Sequence, residues 1–281
     1  MLHCIDLKKK INLENQALQC RLWIIEMLTQ AKSSHLGCSF SIVDILVVLY
    51  HQILSISLIE NQSVDRDFFI LSKGHGAAAL YAVLASVNLI SQNFLNKYHN
   101  DGTFLTGHPM RDISKGIEAS TGSLGHGLSM GVGLALAAVH DQRPSHVYVL
   151  VGDGECQEGS VWEALMMAVR FQLDNLTLIV DDNNLQGLDK TSDIAIGSWK
   201  EKFQAWGCRT SMIDGHDYIQ LITVLSEKKM DKKPHVIIAK TQKGKGISFM
   251  QNKLEWHYKS CNAEQYSKGR KELDESCAIH V

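Results

Sequence analysis

Two clusters of acidic and amide side chains follow successive apolar runs in the middle of the chain. The run Val147–Val151 ends in Gly152-Asp153-Gly154, and the run Leu176–Val180 ends in two aspartates and two asparagines that include Asn183. Carboxylate and carboxamide oxygens are hard ligands, and Mg²⁺ takes six oxygens at about 2.1 Å, often partly from phosphate and water. Together with a backbone carbonyl such as that of Leu185, these side chains would supply half of such a coordination shell.

The elements around these clusters bring them to one place. Both apolar runs have the length and β-branched content of buried strands. A helical pattern lies between them, with apolar residues at steps of three and four: Val161, Leu165, Ala168 and Val169. A strand, a helix and a strand within about 35 residues form a βαβ unit, so the strands should be parallel. Asp153 and Asn183 should then face each other at the carboxyl edge of the sheet, where open α/β sheets bind ligands.

The glycines beside Asp153 favour a phosphate next to this metal. Gly154 allows close approach of the backbone, and the following helix would direct its positive N-terminal end to the same place. The alternative is that both clusters are ordinary turns, since each consists of turn-forming residues. Their occurrence after successive strands of one βαβ unit favours a metal–diphosphate site.

Length and composition predict one globular domain. The chain has 281 residues, of which 45% are hydrophobic and 21% charged, as in ordinary globular proteins with a sizeable core. Only three prolines occur, and no linker, repeat or low-complexity segment is visible. We therefore expect a single domain over residues 1–281, with a polar C-terminal tail from about residue 262.

Charge and cysteine content exclude several classes of function. The net charge of −2 gives no reason to expect nucleic acid or an anionic membrane as a partner. No uncharged apolar run reaches the roughly 18 residues of a membrane span, and the start lacks the apolar core of a signal peptide. Seven cysteines without a Cys-x-x-Cys pair suggest reduced thiols in a cytoplasmic protein.

Histidines recur in loops between predicted elements. His35 lies between a helix over residues 12–31 and a second helix from Ile42 to about Ile53, for which Ser41 is the predicted cap. His75 lies between a short strand, Phe68–Leu71, and a helix that begins at Ala77. A single loop histidine is usually a surface residue, and glycines around His75 also occur in simple turns.

The segment from residue 101 to residue 127 predicts a long loop rich in Gly, Ser and Thr. Such loops are uncommon inside compact domains and tend to be functional. It contains His108 and the sequence TGSLGHG, which includes Gly122, Ser123 and Leu124. The apolar helix that follows, over residues 128–140, contains two glycines, which suggest close packing against the sheet or against a partner helix.

The remaining chain predicts further α/β structure. Helices are expected at residues 92–99, at Lys200–Trp206 and from Tyr218 to Lys228, and strands at Arg209–Ile213 and Val236–Lys240. The last strand precedes the Gly/Lys loop TQKGKGIS. This loop could bind phosphate, although it lacks the spacing of a Walker motif.

Taken together, these segments resemble the N-terminal half of transketolases over nearly the whole chain. The sequence GDG, followed about 30 residues later by an asparagine pair, resembles the thiamine diphosphate motif. The pattern DRDxFxLSxGHG and the segments around His35, His108 and residues 121–127 are also similar to the family. This resemblance implies a three-layer αβα fold with a mostly parallel sheet, the thiamine-diphosphate-binding fold known as the PP (diphosphate-binding) module.

The resemblance also implies roles for individual residues. Thiamine diphosphate and Mg²⁺, with Ca²⁺ or Mn²⁺ as alternative ions, are the implied cofactors. The implied metal ligands are Asp153, Asn183 and the carbonyl of Leu185. The implied cofactor-binding residues are His75, Gly122, Ser123, Leu124, Gly154, Asn183 and His257. The implied catalytic residues, which bind substrate hydroxyls and move protons, are His35, His108 and His257.

The sequence departs from the family at two places. Long single-chain transketolases usually have Pro and Gln near the positions of Ser123 and His126, whereas GSLGHG is closer to split transketolases and deoxyxylulose-phosphate synthases. The role of His126 therefore stays open. Tyr258 stands where the family has Gly after its histidine, which affects the expected substrate range more than cofactor binding.

The implied reaction is the transfer of a two-carbon ketol unit from a ketose phosphate to an aldose phosphate. Such enzymes bind the aminopyrimidine ring of the cofactor with a second module, and only about 20 residues follow His257. We therefore expect activity only with a partner chain, namely the C-terminal transketolase subunit that carries the pyrimidine-binding module, in an α2β2 heterotetramer. The donor could be a pentose phosphate or a specialised catabolic sugar.

Two other interpretations remain. The same cofactor could serve another reaction, as in a 1-deoxy-D-xylulose-5-phosphate synthase-like half or the E1 alpha chain of a 2-oxo acid dehydrogenase, although the matching segments disfavour the dehydrogenase. A non-catalytic cofactor-binding subunit is the alternative from another class. The presence of Asp153, Asn183 and the histidines weighs against it.

Overall fold

A parallel β-sheet forms the centre of the computed structural model, which describes residues 7–195 and 197–277. The five strands are β1 (Phe68–Leu71), β2 (Val147–Gly152), β3 (Leu176–Asp182), β4 (Arg209–Asp214) and β5 (His235–Lys240). They lie in the order β1-β2-β3-β5-β4, and every neighbouring pair is parallel. The predicted parallel sheet is therefore confirmed.

Helices cover both faces of this sheet. The α-helices are α1 (Leu7–Gln30), α2 (Leu36–Ser41), α3 (Val43–Val48), α4 (Ile56–Glu60), α5 (Ala77–Ser86), α6 (His126–His140), α7 (Gly159–Arg170), α8 (Thr191–Ile194), α9 (Trp199–Ala205), α10 (Tyr218–Leu225) and α11 (Ala263–Cys277). A π-helical turn spans Leu49–Ile53, and 3₁₀ turns span Gly74–Gly76, Gln92–Lys97, Ile113–Lys115, Glu155–Gln157 and Leu254–His257.

The alternation of side chains along the strands creates two hydrophobic cores. Tyr148 and Leu150 of β2 point into one core with α1, α3, α5, α10 and α11. Val147, Val149 and Val151 point into the other with α6, α7 and α9. Because both faces are covered, β2 and β3 are buried along their whole length, and their sequences are mostly apolar up to Val151 and Val180. The result is the expected three-layer αβα architecture.

The register of β2 and β3 fixes the positions of the polar clusters at their ends. Gly152 pairs with Asp181, and the amide of Asp153 donates a hydrogen bond to the carbonyl of Asp181 at 3.1 Å. The segment after β2 begins at Asp153, and the segment after β3 begins at Asn183. These two segments therefore leave the sheet side by side at its carboxyl edge.

The prediction that Ser41 caps a helix beginning at Ile42 is wrong. Helix α2 already begins at Leu36, and Ser41 is its last residue. The Ser41 hydroxyl lies 2.8 Å from Oδ2 of Asp181, a fully buried carboxylate. The Ser41 hydroxyl donates to this buried carboxylate, and α3 begins without a side-chain capping hydrogen bond.

The C-terminal segment forms α11 and packs against α1. Leu273 is buried in the core, and a Cβ atom at Gly269 would lie 2.9 Å from Cδ1 of Ile25. The last part of the predicted polar tail, residues 278–281, lies outside the described residues. Among the described helices, none combines the length and apolar character needed to cross a bilayer.

Candidate active site

A cavity of about 250 Å³ opens at the carboxyl edge of β2 and β3. The predicted site residues that line it are Asp153, Gly154, Asn183, Leu185, His75, Leu124 and His257. They come from the ends of β2 and β3, the turn after β1, the loop before α6, and the turn after residue 253. The cavity therefore collects residues from five separate stretches of the chain.

Asp153 is a buried carboxyl whose negative charge is unfavourable. Its Oδ1 accepts a hydrogen bond from the amide of Gly154 at 2.9 Å, and its Oδ2 accepts one from the Thr191 hydroxyl at 2.9 Å. Burial, together with the nearby charges of Asp181 and Asp182, raises the pKa of Asp153 to about 7. A cation bound beside this carboxyl would relieve that unfavourable charge.

The amide of Asn183 has a defined orientation. Its Nδ2 donates to Oδ2 of Asp181 at 2.9 Å, and its Oδ1 accepts from the backbone amide of Leu185 at 3.1 Å. A carboxylate can only accept, so the nitrogen must face Asp181 and the oxygen must face the loop. The amide oxygen keeps a second lone pair for a cation.

Asp181 and Lys73 form a buried ion pair below the cavity that our sequence reasoning missed. The ammonium of Lys73 lies 2.5 Å from Oδ2 of Asp181, and both side chains are at most 1% exposed. Asp181 also accepts hydrogen bonds from the hydroxyls of Ser41 and Thr241. Lys73 lines the cavity. Its position beside Gly74-His75 was visible in the sequence, but its acidic partner lies 108 residues away.

Glu155 fixes the loop that precedes α6. Its carboxylate accepts hydrogen bonds from the Ser72 hydroxyl at 2.5 Å and from the backbone amides of Gly125 at 2.8 Å and Gly152 at 3.1 Å. It therefore joins the ends of β1 and β2 to the TGSLGHG segment. Sequence reasoning assigned no role to this residue.

The turn that carries His75 packs tightly against the same loop. A Cβ atom at Gly74 would lie 2.8 Å from the backbone nitrogen of Gly122, so only glycine fits there. Leu124 reaches the cavity, whereas Ser123 is exposed. Gly122 lies against the ring of His108, where a Cβ would be 3.0 Å from Cδ2.

Four histidines from distant parts of the chain meet beside the cavity. The ring centroid of His35 lies 5.3 Å from that of His75, 6.1 Å from that of His108 and 5.1 Å from that of His257. The rings of His75 and His257 are 5.5 Å apart. The structure thus brings together the histidines that the sequence analysis singled out.

His35 is held in a strained backbone conformation. Its φ of 73° lies in the left-handed region, which costs a residue other than glycine about 1 kcal/mol or more. Its backbone amide donates to the carbonyl of His257 at 3.0 Å. This hydrogen bond fixes two of the histidine-bearing segments against each other.

Two of these histidines are poor bases. Burial lowers the pKa of His75 to about 4, and burial with the neighbouring His35 and His99 also lowers the pKa of His108. Both rings are therefore neutral at pH 7. A neutral imidazole offers one donor and one acceptor to a ligand.

Lys243 is a second buried lysine at the cavity, from the Gly/Lys loop TQKGKGIS. Its side chain is 1% exposed, and its ammonium lies 3.1 Å from Nδ1 of His257. Within residues 7–195 and 197–277 this ammonium forms no ion pair. No described carboxylate compensates the charge of this buried ammonium, so an anionic ligand beside it would be favourable. The loop was noted in the sequence, but not which lysine turns inward.

Cys38 also faces the cavity and was missed in the sequence analysis. Its Sγ lies 3.3 Å from Nδ1 of His257. Burial opposes ionisation of this thiol, but hydrogen bonds with His257, His35 and His75 and the charge of Lys243 hold its pKa well below the usual range.

The two departures from the family pattern lie outside the cavity. His126 is exposed and begins α6. Tyr258 is 58% exposed, and its hydroxyl lies so close to Gly187 that a Cβ there would be 2.7 Å away. Since Gly187 lines the cavity, Tyr258 stands at its rim.

Comparison with known proteins identifies the family. Residues 13–276 match the family described as the thiamine diphosphate binding domain of transketolase. The chain belongs to the transketolase family. Its match covers almost all of the described residues, including every predicted site residue.

Several relatives of this transketolase domain have a similar length. An apulose-4-phosphate transketolase subunit from Phocaeicola vulgatus is 38% identical over 265 residues, which cover 94% of each chain. A 6-deoxy-6-sulfo-D-fructose transketolase subunit from Clostridium sp. strain MSTE9 is 35% identical over 96% of this chain and 99% of its own.

Solved transketolases share the fold. The transketolase of Campylobacter jejuni superposes with a TM-score of 0.86 at 31% identity, over 94% of this chain. The match covers only 43% of that longer protein. The fold of this chain is therefore the thiamine-diphosphate-binding PP module, which is one part of a single-chain transketolase.

The residues of the cavity suit a divalent cation and a diphosphate. Asp153, Asn183 and Leu185 line it together with Lys243, whose ammonium forms no ion pair with a described carboxylate. Gly154 is needed for a further reason, since a Cβ there would lie 2.8 Å from Cβ of Gln186. The cavity wall thus contains the oxygen-bearing residues that the sequence analysis expected. It also contains the ammonium of Lys243, which the sequence analysis did not expect.

Proposed function

We propose that this chain is the N-terminal subunit of a two-chain transketolase. It would transfer a two-carbon ketol unit from a ketose phosphate to an aldose phosphate with thiamine diphosphate and Mg²⁺. One observation carries this proposal: Asp153, Asn183 and the buried Lys243 line the same cavity as His75 and His257 of the histidine cluster.

The cation and the diphosphate belong at the sheet edge. Asp153, Asn183 and the Leu185 carbonyl would hold Mg²⁺, with Ca²⁺ or Mn²⁺ as alternatives of the same hard character. His75, Gly154, His257 and the 122–124 loop would hold the cofactor. Lys243 would add its charge to the diphosphate, which gives its buried ammonium the partner that it lacks among the described residues.

The histidines act on the sugar. Thiamine diphosphate, when bound, supplies the carbanion chemistry of ketol transfer. His35, His108 and His257 would orient the substrate hydroxyls and accept or return their protons. His108, whose pKa is lowered by burial, is neutral near pH 7 and can therefore offer a substrate hydroxyl both a donor and an acceptor nitrogen.

A partner chain would complete the active site. The relatives named above are called subunits of transketolases, and each is matched over nearly its whole length. We infer that the partner carries the pyrimidine-binding module and that two copies of each chain form an α2β2 heterotetramer. The names of these relatives point to sugars outside the common pentose phosphates, and Tyr258 at the cavity rim is placed to influence that choice.

The cysteines support a cytoplasmic compartment. Five cysteines of the described chain are free and buried, which suits a reducing cytoplasm. We therefore expect the heterotetramer to work there without disulfides.

Cofactor binding tests the metal and diphosphate assignment. Titration calorimetry of the purified chain, with its partner when identified, should give heat with thiamine diphosphate only when Mg²⁺ is present. Asp153→Asn removes the charged ligand but keeps the shape, so it should weaken binding by at least about tenfold, the effect of losing about 1.4 kcal/mol. Asp189→Asn, in the exposed part of the same loop, is the matched control and should bind as the wild type does.

Reconstitution tests the two-chain assignment. The partner is identified by co-purification, and ketol transfer is then measured for each chain alone and for the mixture with several ketose donors and with pyruvate. Activity should appear only in the mixture and only with ketose donors. Full turnover by this chain alone, or a preference for pyruvate, would contradict the proposal.

A further inference from the structure

A second group of metal-ligand atoms lies at the histidine end of the cavity. One ligand atom from each of His35, Cys38 and His257 falls within 4.8 Å of the other two. Cys38 and His257 line the cavity itself. The oxygen ligands at the sheet edge belong to a different set, because they contain neither sulfur nor nitrogen donors.

The spacing of these atoms suits tetrahedral coordination. Zn–S and Zn–N bonds of about 2.3 and 2.0–2.1 Å place neighbouring ligand atoms about 3.3–3.6 Å apart. Sγ of Cys38 and Nδ1 of His257 are already 3.3 Å apart. The His35 ligand atom lies within 4.8 Å of both, so it would have to approach them by at most about 1.5 Å.

The Nδ1 atoms of the two imidazoles are engaged differently. Nδ1 of His257 faces the ammonium of Lys243 at 3.1 Å, and an ammonium has only protons to donate, so this nitrogen carries the lone pair. Nδ1 of His35 is buried without a hydrogen-bond partner in the described chain. A buried polar atom without a partner is unfavourable, and coordination would satisfy it.

We propose that His35, Cys38 and His257 form a second metal site that takes a borderline or soft cation such as Zn²⁺. Thiolate and imidazole ligands select such ions, whereas the carboxylate and amide oxygens of the first site select Mg²⁺. Three protein ligands leave one coordination position open toward the cavity. The two sites therefore differ in ligand chemistry although they share one cavity.

Occupation of this site would oppose cofactor binding. This consequence rests on the proposed function, because it requires that thiamine diphosphate uses the same cavity. His257 is one of the residues proposed to hold the cofactor, and it cannot contact the cofactor through a nitrogen that coordinates the ion. Zn²⁺ then acts as an inhibitor that competes with the cofactor for the free chain.

Cobalt spectroscopy tests the site directly. Co²⁺ is added to the full chain without cofactor and in excess Mg²⁺. We expect one equivalent to bind with a thiolate-to-cobalt charge-transfer band and the visible bands of tetrahedral cobalt, and we expect Zn²⁺ to displace it. Absence of the charge-transfer band, or binding that Mg²⁺ abolishes, would overturn the proposal.

Variants locate the site. Cys38→Ser should remove the charge-transfer band, and His35→Asn should weaken cobalt binding, while circular dichroism verifies that each is folded. Cys156→Ser, another buried free thiol outside this cavity, should keep the spectrum. Lys243→Met removes the competing cation and should tighten cobalt binding. A band that survives Cys38→Ser, or that disappears equally in Cys156→Ser, would refute the assignment.

Competition separates this inference from the proposed function. With Zn²⁺ at about ten times its dissociation constant, the apparent affinity for thiamine diphosphate should fall about tenfold in the wild type, and it should not change in Cys38→Ser. If thiamine diphosphate binds but no cobalt band forms, the metal site is wrong. If the band forms and no cofactor binds under any condition, the proposed function is wrong and the metal site stands.

Discussion

Asp181 shows how much a single residue organises in this protein. Four donors converge on its carboxylate, from the side chains of Lys73, Asn183, Ser41 and Thr241. Through Lys73 and Asn183 it fixes one wall of the cavity. The next residue, Asp182, pairs with Lys240, whose side chain is 56% exposed. Two adjacent aspartates of β3 therefore have very different energetic roles.

The first prediction compares these two aspartates. Asp181→Asn leaves the buried ammonium of Lys73 without its counterion, so we expect a loss of about 3–5 kcal/mol in the free energy of unfolding. Asp182→Asn removes an ion pair with an exposed lysine and should cost about 1 kcal/mol or less. Urea denaturation of both variants measures the difference. Equal losses would show that the Lys73–Asp181 pair is not the stabilising contact that its burial indicates.

At the scale of elements, α6 illustrates how a helix uses glycine. Gly131 faces the sheet, where a Cβ would lie 2.4 Å from Cγ2 of Val149, whereas a Cβ at Gly133 would meet nothing within 4 Å. The sequence suggested packing against the sheet or against a partner helix. Gly131 allows α6 to pack closely against the sheet, whereas Gly133 lies on the exposed face of α6 with open space beside it.

The second prediction follows from this contrast. Gly131→Ala forces the helix away from β2 and should destabilise the chain by about 1–3 kcal/mol. Gly133→Ala should stabilise the isolated chain by up to about 1 kcal/mol, because alanine is the better helix former. Thermal or urea unfolding gives both values. The argument fails if the two substitutions have the same sign.

The start of β2 carries a pH-dependent contribution to stability. His146 is buried, and its Nε2 lies 2.8 Å from the Thr177 hydroxyl. Burial, together with the positive charges of Lys228, His235 and Arg209, lowers the pKa of His146 to about 3. The folded state therefore binds this proton less well than the unfolded state, and stability is lost as the pH falls below about 6.5.

The third prediction is a change in this acid sensitivity. For the wild type, His146 should contribute a loss of about 2 kcal/mol between pH 7 and pH 5. His146→Gln keeps a polar group near Thr177 but cannot titrate, so its unfolding free energy should fall by about 2 kcal/mol less over the same interval. Carboxyls with raised pKa, such as Asp153, act in the opposite direction in both proteins and cancel in the comparison. Identical pH profiles would contradict the assignment.

At the scale of the whole molecule, the cavity concentrates unfavourable groups in an otherwise stable fold. Asp153 is a buried carboxyl with a raised pKa, Lys243 is a buried cation without an ion pair among the described residues, and His35 has a strained backbone. Such groups lower stability unless a ligand compensates them. A cation and a diphosphate bound together would compensate the first two.

The fourth prediction is therefore ligand-dependent stability. Mg²⁺ and thiamine diphosphate together, at about 100 times the dissociation constant, should raise the unfolding free energy by about 2.7 kcal/mol. EDTA should reverse the effect, because the diphosphate is held through the ion. Asp153→Asn should show no such gain under the same conditions. Stabilisation that persists in EDTA would argue against a metal-bridged diphosphate.

The sequence alone predicted the parallel sheet and the proximity of Asp153 and Asn183 at its carboxyl edge. Val147–Val151 and Leu176–Val180 are local patterns, and the helix between them makes a βαβ unit, whose two strands are parallel and end at the same edge of the sheet. The positions of Asp153 and Asn183 at this edge then follow from their places just after the two apolar runs. The family resemblance selected the histidines, since nothing in their spacing brings them together.

Only the tertiary structure decided which other side chains face the cavity. Cys38 meets His257 across 219 residues, and Lys73 meets Asp181 across 108. Such contacts depend on how loops return over the sheet edge, which local sequence does not specify. Short-range patterns fix the path of the backbone through hydrogen bonding and chirality, whereas buried charges and thiols are paired by packing between distant segments.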